Sequence, residues 1–250
     1  MVDDAAMAPP TARARVRAEL TQEILEAARG QLAEHGSAAL SLRAVAREVG
    51  MVSSAVYRYF PSRDDLLTAL IVEAYDSLGA AVETAERRVK RTAYSDRWMS
   101  VCRTVRTWAL AHPHEYALIY GSPVPGYKAP VTTIGPATRV ALVLMQLLID
   151  AHEDQQLRPA PSIPSVHKAL AADLQRLGDT FADVPEATIV KALTAWAAIY
   201  GTVSFELFGQ FHNVIAANSQ FFDAAMSQLA EFVGLAAPAN INRKPRSSNL

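Results

Sequence analysis

One cysteine, Cys102, stands among 250 residues. A single thiol excludes an internal disulfide framework and any multi-cysteine zinc site. Half of the residues are hydrophobic, but no stretch approaches the eighteen or more uninterrupted apolar residues of a membrane helix. The first ten residues lack both the basic start and the apolar core of a signal peptide. Excess charge is missing too: the net charge is −1. That balance disfavours a general nucleic-acid coat, whose affinity rests on excess positive charge. These absences point to a soluble cytoplasmic protein long enough for a small module and a larger domain. Catalytic signatures are also lacking. There is no Gly-x-Ser-x-Gly elbow, no phosphate loop and no His-Glu-x-x-His. His112 and His114 flank Pro113, but the sequence places no third ligand beside them, so no metal and no cofactor is expected.

What is present is helical pattern. Apolar residues recur at helical spacing and strand alternation is scarce, which predicts an all-α fold. The first helix is read over Arg13 to His35 and stops at Gly36. Ser41 caps a second, with Leu42, Val45, Ala46 and Val49 on one face and Gly50 at its end. A third opens at Ser53 or Ser54 and runs to Tyr59. After Pro61, Ser62 and Asp65 resemble a capping box, and the helix that follows reaches about Arg91. Further helices are expected over 96–111, 113–120, 136–153, 165–180, 186–211 and 219–235. Gly121 to Gly135 and Arg158 to Pro164 read as loops. The polar, proline-bearing ends are expected to be disordered.

Three helices in the first fifty ordered residues, with a glycine-marked turn between the second and third, have helix-turn-helix spacing. In that arrangement the first helix of the pair braces and the next enters the major groove. Val45 and Ala46 can face Val56 and Phe60 across the turn. The third helix then offers Ser53, Ser54, Ala55, Tyr57, Arg58 and Tyr59. Small residues allow close approach to base edges, while hydroxyls and a guanidinium supply donors for phosphate and guanine. From Thr11 to Arg63 there are eight arginines against five glutamates, a net +3 confined to one end. Arg13, Arg15 and Arg17 could form an arm near the minor groove.

The residues Ile24-Leu25-Glu26-Ala27-Ala28, Gly36, Leu42 to Gly50 and Ala55 to Leu67 together resemble the tetracycline-repressor (TetR) family of regulators. The resemblance covers about Arg13 to Leu70. It implies a three-helix DNA-binding domain over 13–66 and a larger helical domain for ligand binding and dimerisation over 67–235. A disordered arm (1–12) and tail (236–250) would flank them. It further implies that Tyr57 and Tyr59 contact the DNA backbone or thymine methyls. Arg63, where the family usually has lysine, would hold a phosphate, and Ser41 and Arg43 fall where further contacts lie. Met51-Val52 departs from the family's usual Val-Ser and passes the capping duty to Ser53.

Past Arg91, the runs Ala111 to Tyr120 and Trp196 to Gly201 resemble a TetR subgroup with a Trp–His–Gly signature. Tyr200 here replaces the histidine. The last two long helices would then form a homodimer interface. Ala195, Ala198, Gly201 and Thr202 give a small-residue face, and Phe222, Met226, Leu229 and Val233 form one apolar stripe. Trp98, Cys102, Trp108, Tyr116, Tyr120, Met145, Trp196 and Tyr200 are candidates to line a pocket for a mostly apolar small molecule. The expected function is a repressor that a ligand releases from a palindromic double-stranded operator. The alternative is a helical ligand carrier or enzyme without regulatory DNA binding.

Overall fold

The computed structural model describes residues 11–158, 170, 172–174 and 186–236, and these contain no strand. Nine helices of the described residues carry labels here: α1 (Ala12–His35), α2 (Leu42–Glu48), α3 (Ser53–Val56), α4 (Arg63–Arg87), α5 (Tyr94–Ala111), α6 (Pro113–Tyr120), α7 (Ile134–Glu153), α8 (Glu186–Leu207) and α9 (Asn218–Phe232). The 165–180 helix expected from the sequence lies mostly outside the described residues. So do the loop to Pro164 and most of both ends, although Thr11 caps α1 by accepting from the Ala14 amide.

The described residues fall into two compact units. One lies within 1–74 and 114–133, the other within 75–113 and 134–250. In the first, α1 buries Ile24, Leu25, Ala28 and Leu32. Gly36, at φ 74°, ends it and donates its N–H to the Leu32 carbonyl. Only glycine adopts that conformation without cost. A 3-10 turn (Ser37–Ala39) leads to α2. Asp65 N donates to Ser62 Oγ at 3.1 Å, the first half of the expected capping box. The Ser62 hydroxyl then donates to Asp65 Oδ2 at 2.6 Å.

In the second unit α5 packs on α7, α8 and α9, and α8 also packs on α7 and α9. Trp98, Val101, Cys102 and Val105 of α5 are buried with Leu147, Leu148, Ile199, Val203, Phe222 and Met226. By length and composition α7 and α8 could each cross a membrane. Core helices share that length and composition, and each of these packs against other helices of the unit.

Among the ion pairs of the second unit, two groups tie α4 to α7. Arg97, with a side chain 1% exposed, donates to Glu86 Oε1 at 2.5 Å and to Asp150 Oδ2 at 2.8 Å. Arg91 grips the same two carboxylates. Burial alone would raise the Asp150 pKa, but hydrogen bonds from Gln146, Arg97 and Arg91 outweigh it and hold the carboxyl below its ordinary value. Tyr94 donates to Asp154, which pushes the phenol up to about 12. In the other group Arg139 of α7 forks onto Glu83 at 2.8 and 2.9 Å and reaches Asp76.

Candidate nucleic-acid interface

The recognition segment is built from backbone outward. Val49, Gly50 (φ 66°) and Met51 make the turn, and Met51 N donates to the Ala46 carbonyl at 2.8 Å. α3 is short, and its last turn tightens to i→i+3 bonds: Arg58 N donates to Ala55 O and Tyr59 N to Val56 O. Val45, Ala46 and Val56 are almost fully buried and Phe60 is 7% exposed, so the expected bracing residues form the base of the segment.

Two capping expectations are corrected. Ser41 occupies the N-cap position of α2 but its side chain makes no cap bond; its amide instead donates to Gln31 Oε1 at 3.4 Å. Val52, not Ser53, is the N-cap of α3, again without a side-chain bond. The departure at Met51-Val52 therefore leaves the α3 N-terminus without a hydroxyl cap and leaves Ser53 inside the first turn.

Over that base, Ser54, Tyr57 and Arg58 are exposed, Ser53, Ala55 and Tyr59 are half-buried, and Arg43 projects from α2 into solvent while Ser41 is half-buried. The structure thus gathers these DNA-contact candidates around one short helix. Arg63 differs: its guanidinium turns inward onto backbone carbonyls of the turn before α2. Arg13, Arg15 and Arg17 lie within α1 rather than on a free arm. Arg17 reaches the Arg58 carbonyl at 3.4 Å and covers the Tyr59 ring.

A family model for bacterial regulatory proteins of the tetR family matches residues 24–70. A second, for the tetracyclin repressor-like C-terminal domain, matches residues 98–229, more than half of the chain. The chain belongs to the TetR family. HTH-type transcriptional regulator Rv1816 of Mycobacterium tuberculosis is 39% identical over 201 residues, covering 80% of this chain and 85% of the relative. HTH-type transcriptional repressor LfrR of Mycolicibacterium smegmatis is 41% identical over 80 residues, 32% of this chain and 41% of that one. Among solved structures, regulatory protein SCO4313 superimposes with a TM-score of 0.72 at 30% identity, covering 88% of this chain and all of the other. The TetR-family fold is a helix-turn-helix domain followed by a larger helical domain, and the chain is a DNA-binding transcriptional regulator rather than an enzyme.

Within this TetR-family chain the pocket candidates are divided between the two units. Trp98, Cys102, Trp108, Met145, Trp196 and Tyr200 belong to the second unit, whereas Tyr116 and Tyr120 belong to the first. Trp98 is 1% exposed and donates its indole N–H to the Met226 carbonyl at 2.9 Å. Cys102 is fully buried, and burial pushes its thiol well above its ordinary pKa. Trp108 donates to Ser77 Oγ at 3.0 Å and stacks on His112. Trp196 is 37% exposed. A cleft of about 480 Å³ beside Glu206, His212 and Asn218 is lined by none of these candidates.

The interface stripe is also corrected. Ala195, Phe222, Met226 and Val233 are at most 3% exposed within a single chain, and Ala198, Thr202 and Leu229 are half-buried. A residue covered by its own chain cannot be covered again by a partner. At those four buried positions the periodicity marks the inner faces of α8 and α9, whereas Gly201 of the expected small-residue face is exposed. Their outer faces carry Leu193, Ala197, Gly201, Phe205 and Phe232, all exposed.

Proposed function

We propose that the chain is a repressor that holds a two-fold symmetric operator as a homodimer and leaves it when a small, mostly apolar molecule binds. It works in the cytoplasm, where bacterial DNA is accessible. The observation that carries the reading is the surface of α3 and the turn that follows it: exposed Ser54, Tyr57 and Arg58 above buried Val56 and Phe60. This is a rigid base presenting hydroxyls and one guanidinium, the donors that phosphates and base edges accept. Ser53, Ala55 and Tyr59 border that surface, and Ser41 and Arg43 add contacts from the α2 side.

Dimerisation uses the outer faces of α8 and α9. Leu193, Phe205, Phe208 and Phe232 are each more than 40% exposed, and small residues at Ala197 and Gly201 allow close helix approach. Two copies related by a two-fold axis present two recognition helices, as half-sites about 34–36 Å apart require. For the effector, the second unit supports an uncharged ligand. Its buried Arg97 and Glu86 are paired with each other, which leaves neither to balance a ligand's charge. Trp108, Met145, Trp196 and Tyr200 are the candidate contacts there. Release requires differential affinity: moving a 99:1 balance to 1:99 takes about 5.5 kcal/mol.

The test is selection of duplexes from a random library, followed by fluorescence anisotropy on the selected sequence. A two-fold symmetric consensus bound by two chains supports the reading. Recovery of no consensus removes it.

A further inference from the structure

The arginine at the start of α4 has its Nε and Nη2 donors directed at the protein. Arg63 Nη2 donates to the Ser37 carbonyl at 2.7 Å and lies 3.5 Å from that of Ala38. Its Nε donates to the Leu40 carbonyl at 3.2 Å. Nη1 lies 3.6 Å from Asp64 Oδ1. The three carbonyls belong to the 3-10 turn Ser37–Ala39 and to Leu40, the last residues before the Ser41 N-cap position of α2. One side chain therefore ties the first residue of α4 to the entrance of α2. The side chain is 31% exposed, so it is half withdrawn from any external anion.

The geometry suits a guanidinium better than the lysine usual at this position. Its planar fork sends Nε and Nη2 to two carbonyls at once, whereas a lysine ammonium is a single point of donation on a flexible stem. The bonded turn has no regular α-helical ladder to hold it. The α2 side chain expected to cap this end does not do so, since Ser41 makes no side-chain cap bond. Without the arginine, the angle at which α2 leaves the turn rests on packing and on three bonds: Ala39 N to Gly36 O at 3.2 Å, Leu40 N to Ser37 O at 3.4 Å and Ser41 N to Gln31 Oε1 at 3.4 Å.

We propose that Arg63 is a positioning residue for DNA binding: it fixes the entrance of α2, and through α2 the presentation of α3, and does not act as a phosphate ligand. The proposal rests on the DNA-binding reading above. Its consequence is that the charge of Arg63 matters less than its shape.

The discriminating readout is the salt dependence of binding. Each phosphate ion pair contributes about 0.9 to the slope of log K against log salt. Wild type, Arg63→Lys and Arg63→Ala are titrated by anisotropy against the selected operator at four salt concentrations, with hydrogen exchange over 37–60 on each. Arg63→Lys should weaken binding about 10-fold at every salt concentration with the wild-type slope, and loosen the 37–42 amides. Arg63→Ala should do the same or more. Wild-type affinity in Arg63→Lys, or a slope reduced by about 0.9 in Arg63→Ala, overturns the proposal in favour of a phosphate contact. So does unchanged amide protection in both variants, even if Arg63→Ala folds poorly in other assays. Failure of the wild type to prefer the operator over random duplex is a different outcome, which removes the DNA-binding reading itself.

Discussion

The guanidinium of Arg17 lies 5.1 Å from the centre of the Tyr59 ring, and its Nη2 reaches the Arg58 carbonyl at 3.4 Å. α1 thus holds the C-terminal end of the recognition segment. The contact is exposed, where a cation–π pair is worth about 0.5–1 kcal/mol. Arg17→Ala should lower the urea-unfolding stability by no more than about 1 kcal/mol and weaken operator binding several-fold. A variant with unchanged affinity would show that Tyr59 needs no such support.

Tyr57, the residue that ends α3, is 42% exposed. Its hydroxyl should donate to DNA and do nothing for the fold. Tyr57→Phe should therefore reduce operator affinity by about 1 kcal/mol, the net worth of one hydrogen bond, and leave the melting temperature within error. Loss of stability without loss of affinity would make Tyr57 a packing residue.

Gly79 sits in the middle of α4, where glycine costs about 1 kcal/mol relative to alanine. A Cβ there would lie 2.7 Å from Arg139 Nε and 2.9 Å from both its Cβ and Cδ. The stem of Arg139 crosses α4 at that point on its way to Glu83. Gly79→Ala should destabilise the protein instead of stabilising it, and the same change in an Arg139→Ala background should destabilise it less, since the Nε and Cδ clashes are gone while the Cβ at 2.9 Å stays. Denaturant melts of the four proteins in the cycle measure this directly; additive effects would contradict the crossing.

Glu83 is held below its ordinary pKa, chiefly by the Arg139 hydrogen bonds against opposing burial, and Asp150 is lowered as well. A lowered carboxylate contributes stability that is present above its unfolded value, about 3.9 for Asp and 4.3 for Glu, and is lost as pH falls through the folded value. The urea midpoint should therefore drop steeply below about pH 4. Glu83→Gln should be less stable at pH 7 and should lose less between pH 5 and pH 3 (roughly one unit either side of the unfolded values). A drop of equal size in both proteins would assign the acid sensitivity to other carboxylates.

Much of this structure was legible in the sequence because short-range signals marked it. Gly36 and Gly50 take up the positive φ expected of helix stops, and Pro113–Tyr120 has the bounds its flanking breakers imply. The pattern carries α4 to about Arg91, whereas the helix ends at Arg87, since no glycine or proline marks that end. Apolar stripes announce burial without naming what covers them. Phe222, Met226 and Val233 have the spacing of an interface and are nevertheless core. Long polar side chains are harder still. Nothing in the pattern shows that Arg63 turns back to Ser37 rather than outward, or that Arg97 and Glu86 pair in the interior. Gly79 did carry a signal, an unexplained glycine inside a good helix, and its reason is the Arg139 stem.

The central claim is that the α2–α3 module reads a specific sequence. It is tested most directly by the ratio of affinities for the selected operator and for random duplex, measured by anisotropy at a single physiological salt concentration. A sequence-specific regulator should prefer its operator by about 10³-fold or more. Equal affinity for both duplexes would contradict the account.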